Sequence, residues 1–370
     1  MTVVVQVSKV HPEPGVIVRA AAIIRRGGLV AFPTETVYGL GANALDPDAV
    51  ESIFTAKERP SYDPLIVHLQ DATQMELVAA DIPDLTWKLA AEFWPGPLTL
   101  VLPRQPRVPS AVTAGGDTVA VRVPSHPVAH ALIVAAGVPI AAPSANRFGR
   151  VSPTRAEHVW TDLAGRIDII LDAGPTSVGV ESTVLSLVEA TPRILRPGGV
   201  SREALARLLE SVEVEHHTIV EGGTAVSPGT TPQHYAPEAS LTLFQGPRAQ
   251  VLPAMRRAAL GYIEAGERVG LLLVEEDLSV FADLPVIREA LGSVDSLSQI
   301  AQRLYSALRA LDEAGVEVIL ARDVGTTGLG LAIRDRLTRA AAGGVVVMSD
   351  GSAADSPDSA PSGPLTPLAS

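Results

Sequence analysis

Lys57-Glu58-Arg59-Pro60 places two cations of different geometry two residues apart, in a chain that has three lysines against twenty-six arginines. Val50, Ile53 and Phe54 fall at helical spacing, and Lys57 extends that inward stripe by one step. Pro60 biases Arg59 toward extended backbone, so the helix is expected to stop near Lys57. In an extended chain residues two apart share a face, so Lys57 and Arg59 can converge on one ligand. Lysine offers a point charge and arginine a planar fork, a combination suited to an oxyanion such as carboxylate or phosphate. A basic helix C-terminus favoured by the macrodipole has the same residues, so the tetrapeptide alone leaves both readings open.

Four further clusters stand at the ends of expected strands. Pro33-Thr34-Glu35-Thr36 sets two hydroxyls and a carboxylate after a buried strand, where open α/β sheets tend to place ligands. Ser144-Ala145-Asn146 follows the strand PIAAP; its hydroxyl and amide suit phosphate oxygens or an adenine edge, and an Asx or Ser turn equally well. Glu181-Ser182-Thr183 opens a strand, and Arg196-Pro197-Gly198 ends its partner across a hairpin. Arg122 lies in TVAVRVP, where apolar neighbours make a charge costly unless it is paired. His68 sits in a very apolar strand, where a satisfied core histidine is the plainer reading.

These residues need a scaffold, and the pattern supplies one. Helices are expected over 15–28, from about 49 to Lys57, over 84–93, over 127–136, from about 154, and in SREALARLLES with Ser201 as N-cap. Strands are expected at LVAFP, PLIVHL, LTLVL, TVAVRVP, PIAAP and IDIIL, with two more around a turn in ESTVLSLVEATPRILRPG; PTETVYGLG (33–41) reads as a Gly-bearing loop. Strands that follow one another directly, among helices, imply a twisted mixed α/β sheet. After it, strands 241–244, 268–274 and 316–321 alternate with helices 249–265, 296–314 and 329–342, which predicts a smaller, mostly parallel Rossmann-like sheet. No GxGxxG follows its first strand, and GTTGLG (325–330) can be an anion cradle or a plain Gly-rich helix start. The expected organisation is therefore a first domain over 1–212, a linker and lid over 213–240, a second domain over 241–350, and a low-complexity disordered tail over 351–370.

Composition excludes several classes. The chain has 370 residues, 46% of them hydrophobic, enough for two cores. It has no cysteine, which removes disulfides, thiolate catalysis and Cys-type zinc sites, and its eight histidines show no metal spacing. A net charge of −12 argues against stable nucleic-acid binding. No apolar run reaches the ~18–20 residues of a membrane span, and the opening residues lack the features of a signal peptide, so a cytoplasmic location is expected.

In combination and order, Thr-Glu-Thr, Lys-x-Arg, Val-His, Val-Arg-Val-Pro, Ser-Ala-Asn, Glu-Ser-Thr and Arg-Pro-Gly, then Ser-Pro-Gly and His-Tyr-Ala-Pro, strongly resemble the YrdC-type L-threonylcarbamoyladenylate synthases in their long, two-domain form. The likeness runs through 15–210, includes the linker and continues more loosely to about 342. It implies a nucleotidyltransferase that joins L-threonine, bicarbonate or CO2, and ATP, and supplies L-threonylcarbamoyladenylate to a separate transferase for tRNA modification. By resemblance Thr36, His68, Arg122, Ala142 and Ser182 would contact threonine. Arg59, Asp63, Thr118, Ser144, Ser152 and Arg196 would contact ATP, with Lys57 and Asn146 completing their motifs; Lys57 and Arg59 would be catalytic, His234 and Tyr235 part of a lid, and Mg2+ would arrive with ATP.

The lid departs from the family pattern. Thr230, Thr231, Pro232 and Gln233 replace a Met, a basic residue, a Tyr and another basic residue, and Asp335-Arg336 replaces Asn-Arg. Two other readings use the same fold. Carbamoyl transfer, as in hydrogenase maturation factors, goes with an acylphosphatase-like module and zinc-type cysteines that this chain lacks. An RNA- or ribosome-binding protein is opposed by the acidity and by only 4% aromatic residues.

Overall fold

The structure, a computed structural model, describes residues 1–215 and 235–349. Residues 3–214 contribute eleven strands: β1 (Val3–Gln6), β2 (Val30–Pro33), β3 (Tyr38–Asn43), β4 (Ile66–His68), β5 (Leu98–Pro103), β6 (Thr118–Arg122), β7 (Ile140–Ala141), β8 (Ile169–Asp172), β9 (Thr183–Ser186), β10 (Arg193–Arg196) and β11 (Glu213–Val214). They form one sheet in the order β1-β8-β2-β3-β7-β4-β6-β5-β9-β10-β11. The pairing is mixed: β2 runs parallel to β8 and antiparallel to β3, while β4 runs parallel to β6 and antiparallel to β7. Two large apolar clusters pack around this sheet, with a smaller third of Ile66, Val101, Ala120, Val184 and Leu195. One large cluster gathers Leu40, Ile53, Val67, Leu100 and Leu185, and the other Ile24, Phe32, Leu132 and Leu171.

The second unit has β12 (Ser240–Gln245), β13 (Val269–Leu273), β14 (Ile287–Ala290), β15 (Val318–Arg322) and β16 (Val345–Val347) in the order β14-β13-β15-β12-β16. Every pair in it is parallel, as an alternation of strand and helix requires. Helices Leu297–Glu313 and Gly330–Ala340 carry its buried face toward the first unit. Val37, Val151 and Val180 share a buried cluster with Ile300, Leu304 and Ile333, so the two units have one continuous core between them. The contact is close at Gly179, whose backbone is left-handed (φ +83°); a Cβ there would stand 2.3 Å from the Gln302 Cα.

Four sequence expectations are corrected. The stretch 33–41 is a loop only to Val37, after which β3 begins. Its glycines hid the strand: a Cβ on Gly41 would stand 2.6 Å from the Phe32 ring and 2.8 Å from Ile140, so a close approach takes the place of the usual β-branched residue. The closing helix covers only Arg202–Leu205, capped by Ser201 as expected. Beyond it Arg207 and Leu208 bond three residues back, which tightens the final turn. The helix Pro47–Lys57 ends where the sequence predicts, but Glu58 is left-handed (φ 55°), not extended, so Lys57 and Arg59 do not share a strand face. Strands β1, β11, β14 and β16 carried too few alternating residues to be read.

Candidate active site

β3 fixes the loops around it. Leu40 N donates to Pro143 O, Ala145 N to Tyr38 O, and Tyr38 N to Pro153 O, so the chain from Pro143 to Pro153 is tied along that strand. On the other side Val178 N and Gly179 N donate to Glu35 O and Thr36 O. β4 and β6 run parallel in register, which puts His68 and Arg122 side by side at their C-terminal ends. β9 and β10 bring Ser182 and Arg196 together, with Arg196 donating to Ser182 O (3.0 Å) and Ser182 Oγ (3.2 Å).

These ends surround one cleft that is partly open to solvent. Thr36, Arg59, His68, Arg122, Ala142, Ser144, Ser182, Arg196 and Tyr235 all line it. Residues from eight stretches spread over two hundred positions thus meet. Thr34, Val37, Gly39, Ile66, Pro143 and Glu181 complete the lining.

The cleft is cationic at its surface and balanced from behind. Arg59 is ion-paired with Asp63 at 2.9 Å and donates to Pro64 O; Arg122 faces Glu35 at 3.7 Å. Burial lowers the pKa of both guanidinium groups, and the adjacent carboxylates oppose that shift. Arg122 also donates to Thr36 Oγ1 (3.2 Å), which shares a hydrogen bond with Thr34 Oγ1 (2.8 Å). Ser182 Oγ shares a 2.7 Å hydrogen bond with Thr99 Oγ1. Burial and the Arg122 charge push His68 well below its ordinary pKa, so it is neutral. Its Nδ1 lies 3.2 Å from Ile66 O.

Five expected residues stand outside the lining. Lys57, 1% exposed, donates to Ser144 O (2.6 Å) and to Asn146 O, and so ties the helix end to the Ser-Ala-Asn loop. Burial and then Arg59 hold its pKa well below that of a free lysine. Asn146 spends its amide on Arg147 O and Arg150 O (both 2.8 Å). Asp63 lies behind Arg59, Ser152 donates to Glu181 (2.6 Å), and Thr118 begins the strand that Arg122 ends, about 13 Å away at strand rise. His234 and the altered positions Thr230–Gln233 lie outside the described residues.

Sequence reasoning gave no role to Tyr305 or Thr99. Tyr305 donates to Glu181 at 2.9 Å and stacks on Tyr235 with ring centroids 5.8 Å apart. A polar residue in the apolar strand LTLVL was the only available sign for Thr99. Among the described residues no three His, Asp or Glu side chains converge as a metal site, and no helix is long and apolar enough to cross a membrane.

Residues 22–198 match the Sua5/YciO/YrdC family model, described as "Telomere recombination", and residues 200–342 match "Threonylcarbamoyl-AMP synthase, C-terminal domain". The chain is 46% identical over 331 residues to threonylcarbamoyl-AMP synthase of Bacillus subtilis, covering 89% of this chain and 94% of that protein. It is 46% identical over 343 residues to the protein of the same name from Pyrococcus abyssi, covering 92% and 98%. The crystal structure of P. abyssi Sua5 complexed with L-threonine superposes with a TM-score of 0.87 at 43% identity, over 94% of this chain and all of that one.

Proposed function

This chain belongs to the Sua5-type threonylcarbamoyl-AMP synthase family, and from that premise we propose that it makes L-threonylcarbamoyladenylate from L-threonine, bicarbonate or CO2, and ATP, releasing pyrophosphate. One observation carries the reading: Arg59, Arg122 and Arg196 line a single cleft together with the hydroxyls of Thr36, Ser144 and Ser182.

The threonine amine captures CO2 and loses a proton, giving a carbamate. A carbamate oxygen then forms a bond to the α-phosphorus as the bond to pyrophosphate breaks. Neither step needs a protein nucleophile, so catalysis rests on holding two anions together and stabilising charge on the transferred group. Arg122 takes the threonine carboxylate, Thr36 and Ser182 read its hydroxyl, and neutral His68 with the backbone at Ala142 closes that side. A site that hydrogen-bonds a hydroxyl rejects an analogue lacking it far better than an apolar pocket does. Arg59, Ser144 and Arg196 take the phosphates, with Ser152, Thr118 and Asn146 as outer contacts of ATP. Lys57 contributes by fixing the Ser144–Asn146 loop through its two carbonyl bonds. Mg2+ would arrive with ATP, held by phosphate oxygens and water, and would help to neutralise charge on the transferred group.

The catalytic domain takes in 1–214, through β11, the second domain begins with β12 at Ser240, and the stretch between them is the linker. The enzyme works in the cytoplasm and passes its product to a threonylcarbamoyl transferase that modifies tRNA. Incubation with ATP, threonine and 13C-labelled bicarbonate is the test: mass spectrometry should find threonylcarbamoyladenylate carrying the label. An unlabelled adenylate, or none, refutes the assignment.

A further inference from the structure

Glu181 has no task in the reaction above, yet it is a carboxylate lining a cleft built for anions. Unneutralised, it would repel both substrates. Three side chains converge on it through four contacts. Ser152 Oγ donates at 2.6 Å, Tyr305 OH at 2.9 and 3.1 Å to its two oxygens, and Arg336 Nε at 2.6 Å. Tyr305 and Arg336 both come from the second unit, and Arg336 is 1% exposed. The same guanidinium donates to Pro197 O (3.0 Å) and lies 5.0 Å from the Tyr235 ring centroid. One side chain therefore touches the residue before Ser182 and the residue after Arg196.

Arg196 is the other cation that acts on Glu181. Burial alone would raise the carboxyl, but Arg336 and then Arg196 outweigh it and bring Glu181 down to about 2. Arg196 is meanwhile directed to Ser182 by its bonds to both oxygens of that residue. Removing one member of a buried ion pair leaves a charge that must find another partner. With Arg336 gone, Arg196 is the cation at hand, and turning to Glu181 would take it off Ser182.

We propose that Arg336, in the second unit, is a positioning residue for the cleft: it takes up the charge of Glu181 and so keeps Arg196 on Ser182, where the anionic substrates bind. The inference rests on the synthase reading and gives the second unit a definite part in it: this arginine completes the charge balance of the first unit's site.

The test is ATP affinity of the full chain by calorimetry, with kcat and KM from pyrophosphate release. Arg336→Gln should weaken ATP binding about tenfold and raise KM more than it lowers kcat. Arg336→Lys keeps the charge and should stay within about threefold of wild type. The decisive variant is Glu181→Gln with Arg336→Gln, which removes both charges and should recover affinity to within about threefold, the signature of a double-mutant coupling. Arg336→Gln behaving as wild type, or a double variant as weak as the single one, overturns the proposal. If Arg336→Gln does not fold, the double variant decides: recovery of folding and of near-wild-type ATP affinity supports the proposal, and a double variant that also fails to fold or to bind ATP overturns it. A wild-type chain that takes up no ATP overturns the synthase reading and this proposal with it; wild-type uptake with no effect of Arg336→Gln overturns the proposal only.

Discussion

Lys57→Met tests whether the buried lysine is a tie rather than a surface charge. Methionine keeps most of the apolar stem and its volume but removes the donors to Ser144 O and Asn146 O. Hydrogen bonds from a charged group contribute about 1.5–3 kcal/mol each. Two of them would give about 3–6 kcal/mol, but burial already pushes the Lys57 pKa down, so part of that gain is spent on desolvating the amine. After that cost a net loss of about 2–3 kcal/mol, below the gross range, is the expected outcome. Trp87, Trp94 and Trp160 all lie in the first unit, so urea unfolding followed by tryptophan fluorescence reports that unit alone. The midpoint should fall, amide exchange around 144–146 should accelerate, and ATP binding should weaken because Ser144 lines the cleft. A variant with an unchanged midpoint and unchanged exchange in that loop would refute the reasoning.

Gly179→Ala should destabilise the chain by about 2 kcal/mol or more, because the new methyl meets the Gln302 backbone at a left-handed position; since Gly179 also donates to Thr36 O, threonine affinity should fall with the thermal midpoint. Acid should weaken the fold. His68 lies well below its ordinary pKa, and burial brings His126 to about 4 and His158 to about 3. Below pH ~6.5 the unfolded chain binds protons that the folded one refuses, so stability falls with falling pH by up to roughly 1.4 kcal/mol per unit for each histidine until its folded pKa is reached. His158→Gln should flatten that slope in urea titrations run from pH 7 to 4, and an unaltered slope counts against the buried-neutral reading. Ser182→Ala and Thr36→Val should blur discrimination between threonine and amino acids of similar size, read as the ratio of kcat/KM values; unchanged ratios would reassign the hydroxyl reader.

The scaffold was largely legible because its elements repeat simple periods. The helices near 84–93 and 127–136 and the strand at 98–102 stand where the apolar spacing puts them. β3 was not legible, since its glycines carry no side-chain pattern and their purpose shows only when Phe32 and Ile140 lie against them. The cleft residues could be picked out one by one as polar groups at strand ends. What the sequence could not express was their partners: Asp63 behind Arg59, Glu35 behind Arg122, and above all Arg336 and Tyr305 reaching Glu181 from more than a hundred positions away. Lys57 shows the limit from the other side. Its residue type and neighbourhood mark it as special, but one left-handed residue at Glu58 separates its direction from that of Arg59.

The most direct test of the account is pyrophosphate release from ATP in bicarbonate buffer with each of the twenty amino acids supplied in turn. Release should depend on threonine, fall to near background with alanine or valine, and vanish when bicarbonate is removed. Equal release with every amino acid, or with none added, would contradict a cleft whose arginines and hydroxyls bind threonine beside ATP.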